Sequence, residues 1–171
     1  MKKIVLILTT LLIVSASSNV MAQNKSIVDI AVGNKDFSTL VAALKAADLV
    51  GALQGDGPFT VFAPNNAAFG KIDSNTLNTL LKPENKEKLT SILTYHVVSG
   101  KLAAGDVVNA LKKGNGKTQV TTLNGSKLTV MQKDGKIWLK DQNGNYSQIM
   151  ATDVMANNGV IHVIGDVVMP K

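Results

Sequence analysis

The 171-residue sequence contains no cysteine and, among its 18 basic residues, no arginine. Without cysteine there is no disulfide framework, no thiol nucleophile and no cysteine-ligated zinc or iron–sulfur site. Without arginine the planar fork that reads guanine edges is missing. Aromatic residues make up only 4% of the chain, and a single Trp138 with two tyrosines offers no stacking series for a nucleic acid. Acids are also scarce, 12 against 18 lysines, for a net charge of +6. The lysines are spread along the chain with no run longer than two, so no nucleic-acid partner is expected. An attraction to anionic polymers remains open.

Long hydrophobic runs are missing too. The run Ile4–Val14, broken by Thr9 and Thr10, is too short for a spanning helix, which needs about 20 residues. It follows Lys2-Lys3 and precedes a small polar stretch ending in Val20-Met21-Ala22. This order of basic head, apolar stretch and small-x-Ala site predicts a secretory signal peptide over residues 1–22. The mature chain, residues 23–171, then keeps 16 lysines and all 12 acids, a net +4. The expectation is one exported domain, periplasmic or secreted, with no stable membrane insertion after cleavage.

From Ser26 to about Ala110 the apolar residues recur mostly with helical period. Phe37, Leu40, Val41 and Leu44 form one stripe, and Leu77, Leu80 and Leu81 another. Ser26 and Asp29 have the spacing of a capping box. Pro83 is expected to open a helix carrying Leu89, Ile92, Leu93 and, next on the same face, His96. Within this half Phe59–Phe62 reads as one short strand. From about Lys117 the period becomes two, punctuated by Asn124-Gly125, Asp134-Gly135, Asn143-Gly144 and Asn158-Gly159. An antiparallel meander follows, and Val160–Ile164, apolar on both faces, belongs inside the sheet. The chain is therefore α+β, with its helices mainly in the N-terminal half.

Signatures of catalysis fail in turn. Gly116-Lys117-Thr118 resembles the end of a phosphate loop, but Leu111 stands where its first glycine is needed, and the segment leads into a strand. Asp141-x-Asn143-x-Asn145 copies three calcium ligands, yet Tyr146 and Thr152 occupy the glycine and bidentate-glutamate positions. His96 and His162 are far apart in sequence, and both sit in apolar patterns suited to buried neutral imidazoles. There is no G-x-S-x-G elbow, and two glutamates leave little for a glycosidase pair. No catalytic residue, metal or cofactor is assigned, and the chain reads as non-enzymatic.

Three stretches then stand out together: Phe59–Phe69 (FTVFAPNNAAF), Ile92–Lys101 (ILTYHVVSGK) and Asn157–Pro170 (NNGVIHVIGDVVMP). In this order and spacing the chain resembles the fasciclin (FAS1) domain family over about residues 26–170. Two positions depart from the family pattern, with Asn65 where threonine is usual and Gly165 placed before Asp166. The resemblance implies a fasciclin-like β-sandwich or wedge of about seven strands with several packed helices. It implies structural roles for Phe62, Ala63, Pro64, Asn66, Phe69, Asn158, Gly159, Ile161, His162 and Pro170.

The resemblance also implies an interaction or cell-adhesion module binding a protein or polysaccharide at a cell surface or matrix. Tyr95 and His96 match the motif associated with attachment in animal relatives, so they are candidates for partner contact. His96 also continues an apolar stripe, so a purely structural role stands beside it. An alternative reading is a carrier of apolar small molecules, with a pocket between sheet and helices walled by Met131, Met150 and Met155.

Overall fold

The computed structural model describes residues 25–171; the expected signal peptide and its cleavage point after Ala22 lie outside the described residues. The first helix, α1 (Ile27–Val32), starts on the capping box read from the sequence. The Ser26 hydroxyl oxygen accepts the Asp29 amide at 3.1 Å, and the Asp29 carboxylate accepts the Ser26 amide at 2.9 Å. A single 3-10 turn (Lys35–Phe37) leads into α2 (Ser38–Ala46), which buries Phe37, Leu40 and Leu44 and half-buries Val41. After α3 (Val50–Gln54) comes β1 (Phe59–Pro64), two residues longer than the sequence suggested.

The Asn65 side chain accepts the Ala68 amide at 2.9 Å and so caps α4 (Asn66–Phe69), as threonine would. The next helix, α5 (Ser74–Leu80), is capped by Asp73. Pro83 was expected to open a helix, but it opens only a 3-10 turn (Pro83–Asn85). Helix α6 proper begins at Lys86 and runs to Tyr95. It passes directly into the three-residue strand β2 (Val97–Ser99), and α7 (Ala104–Lys113) follows. The remainder is stranded: β3 (Lys117–Thr121), β4 (Lys127–Lys133), β5 (Lys136–Lys140), β6 (Tyr146–Ala156) and β7 (Gly159–Ile164).

The seven strands form one sheet in the order β2-β1-β7-β6-β5-β4-β3. Strands β3 to β7 are the expected antiparallel meander, whereas β1 enters parallel to β7. Strand β7 thus lies inside the sheet, with Val160, Ile161, His162 and Ile164 buried on its two faces. Register shifts in β6 around Ala151 bend the sheet. Its two edges then approach each other. Val98 bridges Thr122, and the Leu123 amide donates to the Val97 carbonyl at 2.7 Å. The seven strands expected of a β-sandwich or wedge are thus present, as one continuous sheet nearly closed as a barrel.

Two apolar clusters share this sheet. One joins α1, α2, α6 and the β1–β7 pair through residues such as Phe37, Leu40, Leu93 and Ile161. The other fills the curl with Phe62, Tyr95, Leu111, Leu128, Leu139 and Ile164. The junction of α6 with β2 lies between them, and this places Tyr95 and His96.

Candidate functional site

Consecutive side chains at a helix end project in different directions, so Tyr95 and His96 enter different layers. The Tyr95 ring is wholly buried in the curl, and its hydroxyl donates to the Lys127 carbonyl at 3.0 Å. Burial pushes this phenol up to about 12. The nearby Asp141 charge adds to the shift, and a hydrogen bond from the Gln142 backbone opposes it. Tyr95→Phe keeps the packing and removes the hydroxyl with its bonds to the Lys127 carbonyl and from the Gln142 backbone, so a loss of about 1–2 kcal/mol in urea unfolding is expected, with unchanged partner binding.

His96 is 2% exposed. Its Nδ1 lies 2.8 Å from the Ile92 carbonyl one turn back, so Nδ1 carries the proton. Its Nε2 accepts the Val168 amide at 3.2 Å. Loss of solvation lowers this imidazole to about 4, with the Ile92 carbonyl opposing the shift. The ring is therefore neutral at ordinary pH and ties α6 to the C-terminal segment. Any surface that a partner meets near Tyr95 and His96 is made by their neighbours.

His162 repeats this arrangement elsewhere. It is 1% exposed, its Nε2 lies 2.8 Å from the Leu102 carbonyl, and its Nδ1 accepts the Asp153 amide at 3.3 Å. In the parallel pair of β1 and β7 it stands opposite Phe62, the ring centroids 5.7 Å apart. Each histidine thus has both ring nitrogens bonded to main chain, and neither meets a hydroxyl or a carboxylate. Among the described residues no group of three His, Asp or Glu side chains could hold a metal ion.

The other motif residues are joints. The Asn158 Nδ2 donates to the Leu53 and Gly55 carbonyls at 2.8 and 3.0 Å, and its Oδ1 accepts the Ile27 amide at 3.0 Å. At Gly159 a Cβ would stand 2.0 Å from the Phe59 carbonyl oxygen, so only glycine lets β1 and β7 approach. The Asn66 side chain links α4 to the start of α2 through Lys35, Ser38 and Thr39. Ala63, Pro64, Phe69 and Ile161 are buried, and the Pro170 carbonyl accepts the Asn143 side-chain amide at 3.3 Å.

The calcium-like stretch is a turn with a buried carboxylate at its centre. Asp141 accepts the backbone amides of Asn143 and Asn145 at 2.9 and 2.8 Å, and that of Met169 at 3.1 Å. This clamp on the C-terminal segment was not read from the sequence. The Asp-x-Asn spacing before a glycine was its available signal. Asp166, displaced by one position in the last block, pairs with Lys71 at 2.6 Å on the surface.

The space between helices and sheet corrects the carrier reading. The cavity lined by Ile27, Phe37, Leu40, Val61, Phe62 and His96 has a volume of about 20 Å³. That is room for about one water. Met150 and Met155 face solvent, 62% and 44% exposed, rather than walling a pocket. Another reading also changes. Lysines scattered in sequence come together where β3, β4 and β5 place them on one outer face.

The profile of the Fasciclin domain matches residues 35–170. The chain belongs to the fasciclin domain family. Among its relatives is protein sll1483 of Synechocystis sp., 50% identical over 145 residues, spanning 85% of this chain and 73% of the relative. The transforming growth factor-beta-induced protein ig-h3 of Sus scrofa is 35% identical over 145 residues. That match spans 85% of this chain but only 19% of ig-h3. The solved FAS1 domain pair of the insect cell adhesion molecule Fasciclin I superposes with a TM-score of 0.74 at 18% identity. It covers 85% of this chain and 51% of that one, and it shows that the fold is shared. The fasciclin blocks are the elements just described: β1 with α4, the α6–β2 junction, and β7 with its C-terminal extension. Among the described residues no helix is long and apolar enough to cross a membrane.

Proposed function

We propose that this chain is a non-enzymatic, extracytoplasmic fasciclin module that adheres to a protein or polysaccharide at a cell surface or matrix. The observation that carries this reading is family membership over residues 35–170. The shared fold with a cell adhesion molecule supports it. The site geometry agrees in kind, since the motif residues Tyr95, His96, Asn158 and His162 brace the main chain and leave recognition to the outer surface. Export through residues 1–22 would deliver the domain to such partners. The test is a glycan and matrix-protein binding screen with the purified protein at low and moderate salt. Saturable binding is the expected result. Turnover of an ester, peptide or glycoside substrate, abolished by replacing one polar residue, would overturn the reading.

A further inference from the structure

Alternation along the strands sorts the meander into two faces. The inner face carries Leu128, Val130 and Leu139, all buried. On the outer face the register gives two central rows, Lys117–Met131–Trp138–Gln148 and Gln119–Thr129–Lys140–Tyr146. These are flanked by the pairs Thr121–Lys127 and Lys133–Lys136. Strand spacing of about 4.8 Å and a rise of about 3.4 Å per residue make this area roughly 15 by 20 Å.

Five lysines project from its strands and no acid does, the exposed Asp134 lying in the β4–β5 turn at its border. The described residues hold 16 lysines and 12 acids, so eleven lysines against twelve acids remain elsewhere. The whole formal excess of positive charge therefore lies on one side of the sheet. None of the five is in an ion pair; those among the described residues join Lys71 to Asp166 and Lys86 to Asp48. A surface that serves solubility alone mixes both signs. This one separates them and places a half-buried Trp138 at its centre, with Lys140 lying 5.4 Å from the Tyr146 ring centroid.

We propose that this lysine-rich outer face of β3–β6 is the docking surface for a carboxylate-bearing acidic polysaccharide, a polyuronate. The proposal rests on the adhesion reading above and names its partner class. Each kind of side chain has a counterpart on such a polymer. Compact, strongly hydrated ammonium groups suit carboxylates, which are themselves strongly hydrated, and as point charges they impose no fork geometry that the anion must match. The amides of Gln119 and Gln148 and the hydroxyls of Thr121 and Thr129 both donate and accept, as sugar hydroxyls require. The Trp138 ring offers an apolar platform for the C–H face of a pyranose. A lone tryptophan without arginine argues against a nucleic acid, which needs successive stacked bases.

The experiment measures binding of the purified protein to polygalacturonate, dextran sulfate, uncharged dextran, phosphatidylglycerol vesicles and single-stranded DNA. Polygalacturonate is expected to bind best, more weakly as salt rises. Lys133→Glu/Lys136→Glu/Lys140→Glu should weaken that binding about tenfold or more. Lys35→Glu/Lys45→Glu/Lys112→Glu has the same net charge off this face and should change binding by less than about twofold. Melting curves check both proteins, and Lys→Gln at positions 133, 136 and 140 serves if reversal impairs folding. Equal losses in the two triple variants, or preference for dextran sulfate, vesicles or DNA, would overturn the proposal. Binding of another glycan or a matrix protein that survives the face substitutions would overturn this site and leave the adhesion reading standing. If the wild type binds nothing in the broader screen, both fall.

Discussion

His96→Asn is expected to narrow its stability gap to the wild-type protein as the solution is acidified, by up to about 3 kcal/mol between neutral pH and pH 4. The sign follows from the two states of the imidazole. In the unfolded chain its pKa is about 6.5, and in the folded chain burial lowers it to about 4. Between these values the unfolded chain binds a proton that the folded chain refuses. Wild-type stability therefore falls as pH drops through 6.5, by about 2 kcal/mol near pH 5, and levels off below 4. Asparagine keeps a donor for the Ile92 carbonyl and has no proton to gain.

At neutral pH the substitution should itself be costly. The Val168 amide loses its acceptor, and a void opens between α6 and the C-terminal segment. His96→Ala removes both hydrogen bonds and more volume, so it should lose about 2–5 kcal/mol. Asp29 does not blur the result. The Ser26 hydroxyl and amide hold that carboxyl below its usual range in both proteins, so its contribution, lost progressively as pH falls toward and below 3.8, cancels from the gap. Urea unfolding of both proteins at several pH values from 7.5 to 4 reads the gap directly. A gap that stays constant would show that His96 does not carry this penalty. A His96→Ala protein that melts like wild type but no longer adheres would instead make His96 a contact residue.

The neutrality of His96 was legible because Leu89, Ile92 and Leu93 of α6 already pointed the same way. Its acceptance of the Val168 amide was not legible, since that partner is 72 residues distant. The same divide runs through the fold. Local signals placed the capping box at Ser26 and the strands between Asn-Gly and Asp-Gly turns. Strand β2 has three residues, too few for a period to show, and its place at the sheet edge depends on pairing with β1. The parallel entry of β1 beside β7 joins segments a hundred residues apart, which no local pattern encodes.

Closure has the same origin, because the bridge from Val98 to Thr122 forms only once β6 has bent. The lysine face shows how register adds information. Lys117, Lys127, Lys133, Lys136 and Lys140 look dispersed until pairing sets them side by side. The sequence does contain their common feature, since each occupies a polar position of a period-two strand. Which strands neighbour one another decided the rest.

Asn158→Ala should lose about 4 kcal/mol, comparable to emptying a large apolar core site although the residue is polar and lies in a turn. Three partners are released at once. The Ile27 amide begins α1, the Leu53 and Gly55 carbonyls end α3, and all three face a side chain that is 8% exposed. Buried groups left without partners cost about 1–3 kcal/mol each, whereas solvent-exposed ones cost far less. Asn158→Asp should be worse at neutral pH than Asn158→Ala. It puts a carboxylate oxygen where two carbonyl oxygens are 2.8 and 3.0 Å from a donor nitrogen. Protonation relieves that repulsion, so the folded state raises the pKa of the new carboxyl. Asn158→Asp should thus regain stability relative to wild type as pH falls.

Amide hydrogen exchange separates this joint from general loosening. The Ile27 amide depends on the Asn158 side chain and should lose protection in Asn158→Ala. The Phe59 amide donates to the Asn158 main-chain carbonyl at 2.9 Å and should keep its protection up to the lower global stability. Equal loss at both amides, beyond the global change, would mean that the turn itself had collapsed. Selective loss at Ile27 would assign the effect to the side chain that joins two helices to the β6–β7 turn.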